Sequence, residues 1–190
     1  MQHVLALVAA YLVGSISFAI IVASSHGIDI REEGSGNPGT SNVLRVLGRR
    51  LAVMVLIGDA FKGIVAAAIG ALAVDQTFGY VTLFVAVIGH SFPIWHGFRG
   101  GKSVATAIGG ICYLNPLVGI ALAVLWIVIL FVWKTASVAS LAAMLMMVPA
   151  LALTGSTTQQ LLWASATAVF VIVRHSGNIG RLLDSSERSV

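Results

Sequence analysis

The chain has 190 residues, 58% of them hydrophobic and 9% charged, with a formal net charge of +4 and a mean hydropathy of +0.97. Soluble domains carry about 25% charged residues, so this composition excludes an ordinary soluble fold and describes an integral membrane protein. The positive balance does not point to nucleic acid, because basic loops in a membrane protein report its orientation first.

The first apolar run, at about residues 3–24, is too long for a signal-peptide core and has no basic leader. It is expected to remain as a membrane helix. The polar segment after it contains GSGNPG, Gly34 to Gly39, the G-x-G-x-x-G spelling of a dinucleotide turn. That spelling has its meaning only between a strand and a helix of a βαβ unit, and no strand pattern precedes it here. The local physics still suits an anion. Asn37 is expected to cap a helix opened by Pro38 and stopped by Gly48. Gly34, Gly36 and Gly39 let backbone N–H groups curl into a nest at the helix N-terminus, where phosphate is favoured. Arg45, three residues beyond Asn42, leans back toward the same anion. The plainer alternative is a turn that only bends the chain; it does not require Ser35, Asn37, Thr40, Ser41, Asn42 and Arg45 together.

The second run, at about 51–73, holds Asp59 and Lys62, three residues apart on one helix face. A structural ion pair inside the bundle is the expected role, with direct substrate contact as the alternative. The third run, at about 78–95, leads into GHSFPIWHGFRGGKSVAT. GKS resembles the end of a P-loop, but the glycine required five positions before Gly101 is His96, so the P-loop reading fails. Gly100 and Gly101 free the backbone, Lys102 offers a point charge and Ser103 opens the next helix. Arg99 is either a substrate contact or a topology anchor, and His90 and His96 are either hydrogen-bonded interface residues or catalysts.

A short run follows at about 104–113, then longer ones at about 115–133, 136–154 and 158–173. The short run reaches only about half the hydrocarbon core. If it crosses, Arg31, Arg45, Arg49, Arg50, Arg99, Lys102, Lys134, Arg174, Arg181 and Arg188 all share one side, and the opposite loops hold Asp75 with no Lys or Arg. The positive-inside rule therefore predicts seven transmembrane helices, one of them short, with the N-terminus outside and the C-terminus cytoplasmic. Cys112, the single cysteine, can form no intrachain disulfide and is expected to be a small buried hydrophobe.

In the last segment, RHSGNIGRLL, a continuing helix would place Arg174, Asn178 and Arg181 on one face and His175 beside Asn178. A basic membrane-flanking tail is the alternative, but it does not call for His and Asn. The organisation is that of a single polytopic all-α membrane domain over 1–190, with polar motifs at 34–45, 89–106 and 174–183 on the cytoplasmic face. There is no C-x-x-C, H-E-x-x-H, carboxylate cluster or G-x-S-x-G, so neither a metal nor a serine-hydrolase site is expected. None of the five histidines has Asp at the fifth following position, so the H-x4-D signature of the common glycerolipid acyltransferases is missing.

The three segments, GSGNPGTSNVLR, GHSFPIWHGFRGGKSVAT and RHSGNIGRLL, with the DxxKG of Asp59, Lys62 and Gly63 between them, resemble the bacterial acyl-phosphate:glycerol-3-phosphate acyltransferases of the inner membrane. Departures are Thr40-Ser41 for Ala-Thr, Arg99 for Lys and Ser103 for Gly. The resemblance implies transfer of a fatty acyl group from acyl phosphate to the 1-hydroxyl of glycerol 3-phosphate. The products are 1-acyl-glycerol 3-phosphate and inorganic phosphate, the first step of phospholipid synthesis. No cofactor, metal or nucleic acid is implied; the partners are the two substrates and membrane lipid, and a monomer is the expected form. On this reading Ser35, Asn37, Arg45 and Lys102 hold phosphate and stabilise the developing oxyanion. His175, Asn178 and Arg181 orient glycerol 3-phosphate, with His175 or the substrate's own phosphate as general base. Gly34, Gly36, Gly39, Thr40, Asn42, Gly100, Gly101 and Ser103 complete the substrate-binding set. The rival class is a transporter for phosphate or a phosphorylated metabolite. Such proteins place polar, broken helices near the midplane, whereas here the polar residues gather on one face.

Overall fold

The computed structural model describes residues 1–189, and their regular structure is all helical. In chain order the helices are α1 (Gln2–Gly14), α2 (Phe18–Ser24), α3 (Thr40–Leu47), α4 (Arg49–Ala73), α5 (Gln76–Ser91), α6 (Val104–Leu114), α7 (Pro116–Trp133), α8 (Ala136–Leu153), α9 (Thr158–Arg174) and α10 (Ser176–Leu183). Among the described residues, five stretches are long and apolar enough to cross a membrane: Gln2–Ser24, Arg49–Ala73, Gln76–His96, Pro116–Trp133 and Ala136–Leu153. The runs expected at 104–113 and 158–173 form the shorter α6 and α9, of 11 and 17 residues.

The first run is not the single helix that its hydropathy suggests. It breaks at Ser15–Ser17. Ser15 turns its hydroxyl back to the Tyr11 carbonyl at 2.8 Å, and Ser17 starts α2 as an N-cap, accepting from the Ile20 N–H. The break frees the Ile16 carbonyl, which accepts a hydrogen bond from Lys62 Nζ at 2.6 Å. Lys62 Nζ also lies 2.8 Å from Asp59 Oδ1, and both side chains are almost completely buried. A buried ammonium is tolerable only when such partners replace its water.

Helix α4 is the hub, packing against α1, α2, α3, α5 and α6. The largest apolar cluster lies among α5 to α9 and includes Leu83, Val87, Ile111, Leu122, Met144, Met147 and Val171. A second cluster, around Ile30, Val43 and Val55, seats the apolar face of α3 on α2 and α4. Between membrane helices, where lipid is as apolar as leucine, small residues permit the close approach that drives association. That is the rule at the α4–α6 crossing. A Cβ on Gly63 would lie 2.0 Å from the Thr106 carbonyl oxygen, and one on Gly109 would lie 2.1 Å from that of Ala60.

Replacing either glycine by alanine must therefore separate two helix backbones. Gly63→Ala and Gly109→Ala are each expected to cost about 1–3 kcal/mol, the usual penalty of overpacking. The measurement is the thermal midpoint of the purified protein in detergent. Gly180→Ala, whose Cβ would meet nothing within 4 Å, should leave the midpoint unchanged or raised.

Candidate active site

The polar segments converge on a cavity of about 550 Å³. One end is polar and is formed by the loop before α3, the start of α6, the start of α8 and the α9–α10 junction. The other end is an apolar groove with Leu56, Ile57, Ala60 and Ile64 of α4 on one wall and Ala123, Trp126 and Ile127 of α7 on the other. Its floor is α6, through Ala105, Ile108, Gly109 and Cys112. Ile57 and Ile127, on the rims, are both exposed.

Five basic residues line the cavity, at its polar end: Arg45, Lys102, Arg174, Arg181 and Arg188. Lys102 Nζ donates to Asn178 Oδ1. Burial pushes the Lys102 ammonium down to about 8, and Arg181, Arg174 and Arg45 push the same way against the opposing pull of Glu187. Arg174 lies over the Phe92 ring at 5.1 Å and donates to the Gly101 carbonyl at 3.4 Å. Its Nε is buried with no hydrogen-bond partner among the described residues.

His175 sits where α9 gives way to α10 and is buried. Its Nδ1 lies 2.7 Å from the Val171 carbonyl. A carbonyl only accepts, so Nδ1 carries the proton and Nε2 is left with a lone pair. Burial holds the imidazolium pKa down at about 4, with Lys102 and Arg174 adding to the effect against the Val171 hydrogen bond and Glu187. The ring is thus neutral near pH 7 and a weak base.

Several expected roles change. Asn37 does not cap the helix after it: α3 begins at Thr40 with Gly39 as N-cap. The residue before a proline is held extended, so the chain cannot turn helical at Asn37-Pro38. Asn37 instead donates its backbone N–H to Ser35 Oγ at 3.4 Å and lines the cavity with Ser35, Gly39 and Thr40. Asn42 is a clamp. It accepts from the Ser35 N–H at 2.8 Å and donates to the Ile30 and Glu33 carbonyls at 3.1 and 2.9 Å. With those bonds made, it ties the glycine loop to α3 and has little capacity left for a ligand.

Gly34 and Gly36 have positive φ and shape the turn without lining the main cavity. Gly100 and Gly101 spend their N–H groups on the Ser91 and His90 carbonyls, both at 3.1 Å, closing the end of α5. They are therefore no phosphate nest. Ser103 adopts a left-handed conformation at the start of α6 and makes no side-chain cap. Its hydroxyl donates to the Val87 carbonyl at 2.8 Å and lies 2.9 Å from Ser91 Oγ. The free donors of this segment are the first N–H groups of α6, at Val104 and Ala105, beside Lys102. Arg99 lines a separate cavity of about 470 Å³ with Gly100 and Arg31, the latter paired with Asp29 at 2.6 Å. His90 lies under the Gly100-Gly101 turn, its Nδ1 3.6 Å from Asp59 Oδ1. His96 lines neither cavity.

The sequence motifs miss Glu187. Its carboxylate accepts from Ser137 Oγ at 3.0 Å, Asn178 Nδ2 at 2.6 Å and Arg181 Nε at 2.8 Å. Burial opposes its charge, but these three donors prevail and hold its pKa below the usual glutamate value. Just after it, Arg188 donates to the Gly34 carbonyl at 2.9 Å and the Ser189 carbonyl accepts from Arg45 Nε at 3.1 Å. The segment after α10 therefore straps the first polar motif to the third. The available signal was the pair of carboxylates, Asp184 and Glu187, between Arg181 and Arg188 in a chain with seven acidic residues in all.

The family profile for glycerol-3-phosphate acyltransferase matches residues 4–185. Curated glycerol-3-phosphate acyltransferases of Burkholderia pseudomallei (strain K96243) and Wolbachia pipientis subsp. Culex pipiens are 39% and 38% identical to the chain. They cover 100% and 99% of it, over 96% and 98% of their own lengths. Two crystal structures of PlsY, an integral membrane glycerol 3-phosphate acyltransferase, superpose over the whole chain at 34% identity. The glycerol 3-phosphate form has a TM-score of 0.95 with 96% of its chain covered, and the lysophosphatidic acid form has 0.92 with 95% covered.

The Lys102 charge is present below about pH 8 and is lost as pH rises through it, so binding of an anion at this site weakens on the alkaline side. The pH profile of kcat/KM, which reports the free enzyme, is expected to fall through about pH 8. Glu187→Gln removes the charge that supports the Lys102 ammonium, so its alkaline limb should move to lower pH. Losing hydrogen bonds to a charged group costs about 1.5–3 kcal/mol, and Glu187→Ala should show this as a lower thermal midpoint than Glu187→Gln.

Proposed function

The chain belongs to the glycerol-3-phosphate acyltransferase family of the PlsY type, and from that premise we propose that its acyl donor is a fatty acyl phosphate. As a member of that family it is a multi-pass membrane enzyme that acylates glycerol 3-phosphate to lysophosphatidic acid. The observation that carries the donor assignment is the continuity of one cavity, in which the basic cluster of Arg45, Lys102, Arg174 and Arg181 opens directly into the apolar groove floored by α6. A lipid chain with a phosphate at its head fits that junction, and the transporter reading falls away with family membership.

The reaction needs little covalent help, because an acyl phosphate carries its own good leaving group. The glycerol 1-oxygen bonds to the acyl carbon, the bond from that carbon to the phosphate oxygen breaks, and the hydroxyl proton goes to a phosphate oxygen. Positioning can contribute about 7–11 kcal/mol in favourable cases. Ser35, Asn37 and Lys102, with the α6 N–H groups, hold the donor phosphate and the developing oxyanion. Arg45 and Arg181 exchange their tail contacts for phosphate, and Asn178 orients the acceptor. His175 Nε2 accepts the hydrogen bond of the attacking hydroxyl. A ring with a pKa of about 4 makes a poor proton sink, which favours substrate phosphate in that role.

The membrane reading is finer than five long helices. With α6 and α9 also crossing, the chain has seven spans and a single domain, its N-terminus outside and its basic loops and site in the cytoplasm of a bacterial inner membrane. The sharing of one cavity by Arg45, Lys102, Ser137 and Arg174, from four separate chain segments, supports that common side.

Purified protein in detergent, given palmitoyl phosphate and glycerol 3-phosphate, is expected to release one phosphate per lysophosphatidic acid formed. Palmitoyl-coenzyme A in place of the acyl phosphate should give none. Product from the thioester and not from the phosphate would overturn the donor assignment.

A further inference from the structure

The apolar groove has a definite end. Along α6 its lining steps by a turn at a time, from Ala105 to Ile108 to Cys112, and the next position on that face falls at Asn115-Pro116, where α6 gives way to α7. The closure is made by packing. Gly119 of α7 lies so close to α6 that a Cβ there would sit 2.4 Å from Cys112 N and Cα and 2.8 Å from its Sγ. At that level α6 and α7 leave no gap between them. Across the groove the last lining residues are Ile64 on α4 and Ala123 on α7. Val104 to Cys112 spans eight helical steps, about 12 Å of depth below the polar end.

We infer that Cys112, backed by Gly119, is the floor of the acyl groove and sets the longest acyl chain that the enzyme turns over efficiently. The inference rests on the acyl-phosphate reading above. The occupant is the substrate's own hydrocarbon chain, because the groove is continuous with the basic cluster and its lining beyond Asp59, through Ala60, Ile64, Ile108, Cys112 and Ala123, is apolar. Cys112 is half-buried and uninvolved in any disulfide. Its role is steric: it is the side chain whose volume decides where the terminal methyl stops. A chain longer than the groove has to leave sideways between the rims at Ile57 and Ile127 and forgoes burial of its last carbons.

The test compares wild type, Cys112→Phe and Cys112→Ala on saturated acyl phosphates from hexanoyl to stearoyl, with kcat/KM for lysophosphatidic acid formation as the readout. Each methylene excluded from the groove is worth about four-fold in kcat/KM. Cys112→Phe is expected to lower the decanoyl-to-hexanoyl ratio by about ten-fold or more, with hexanoyl turnover held within about two-fold. Cys112→Ala should instead raise the dodecanoyl-to-decanoyl ratio. If the phenylalanine variant does not fold, alkylation of the folded wild type at its single cysteine with N-ethylmaleimide supplies the same bulk, and Cys112→Ala is the unreactive control. An unchanged ratio, or an equal fall at every chain length, would overturn the inference. A wild type that turns over no acyl phosphate of any length would overturn the donor assignment itself, a result readily told apart from an unaltered length profile.

Discussion

Everything at the site depends on the close crossing of α4 and α6. Gly63 meets the Thr106 carbonyl and Gly109 meets the Ala60 carbonyl, each at a separation that excludes a side chain. In lipid there is no hydrophobic gain from bringing helices together, so backbone approach supplies the attraction. The crossing draws the 11-residue α6 into the bundle against α4, with α7 on its other side. A helix held there presents its N-terminus to the polar end of the cavity and its side to the apolar end. One short element thereby places unpaired N–H groups at the polar end of the cavity and an apolar side along its groove.

Two lysines show how differently the fold treats the same charge. Lys62 is sealed in the bundle and fully partnered by Asp59 and by the Ile16 carbonyl that the broken first helix releases. Removing either partner would leave a buried charge uncompensated. Lys102 is crowded by three arginines and meets only the amide of Asn178 and the field of Glu187. Burial first, then the neighbouring arginines, depress its pKa, and a bound anion would relieve that cost. The carboxylate of Glu187 lowers that cost and holds Arg181 and Asn178 in place.

Much of this was legible in the residues, because motif spacing survives folding. Arg45, Lys102, His175, Asn178 and Arg181 come from three distant segments and share one cavity. What could not be read was how each polar atom is used. Asn42 looks like a ligand contact and is a clamp; Gly100 and Gly101 look like a phosphate nest and close α5. Such outcomes depend on which partner lies within hydrogen-bond reach, and a linear pattern does not encode that. The break at Ser15–Ser17 was invisible for another reason. A hydropathy average over about 20 residues is insensitive to two serines, and Lys62, which satisfies the carbonyl that the break frees, lies 46 positions away. Glu187 was missed because its partners Ser137 and Asn178 are set by the docking of α8 and α10.

The rims of the groove have one more consequence. Helices α4 and α7 scarcely touch, and Ile57 and Ile127 face outward along the gap. A hydrocarbon chain can therefore slide in and out within the leaflet without ever crossing water. For such an enzyme the effective concentration of its lipid substrate and product is a surface density, the mole fraction in the bilayer or micelle, and not an amount per litre. Dilution with inert lipid or detergent then slows turnover even when the bulk quantity of donor is unchanged, while glycerol 3-phosphate continues to obey ordinary solution kinetics. With the acyl phosphate proposed here as donor, the slot between two helices makes this a catalyst of mixed dimensionality, fed by one substrate from a plane and by the other from a volume.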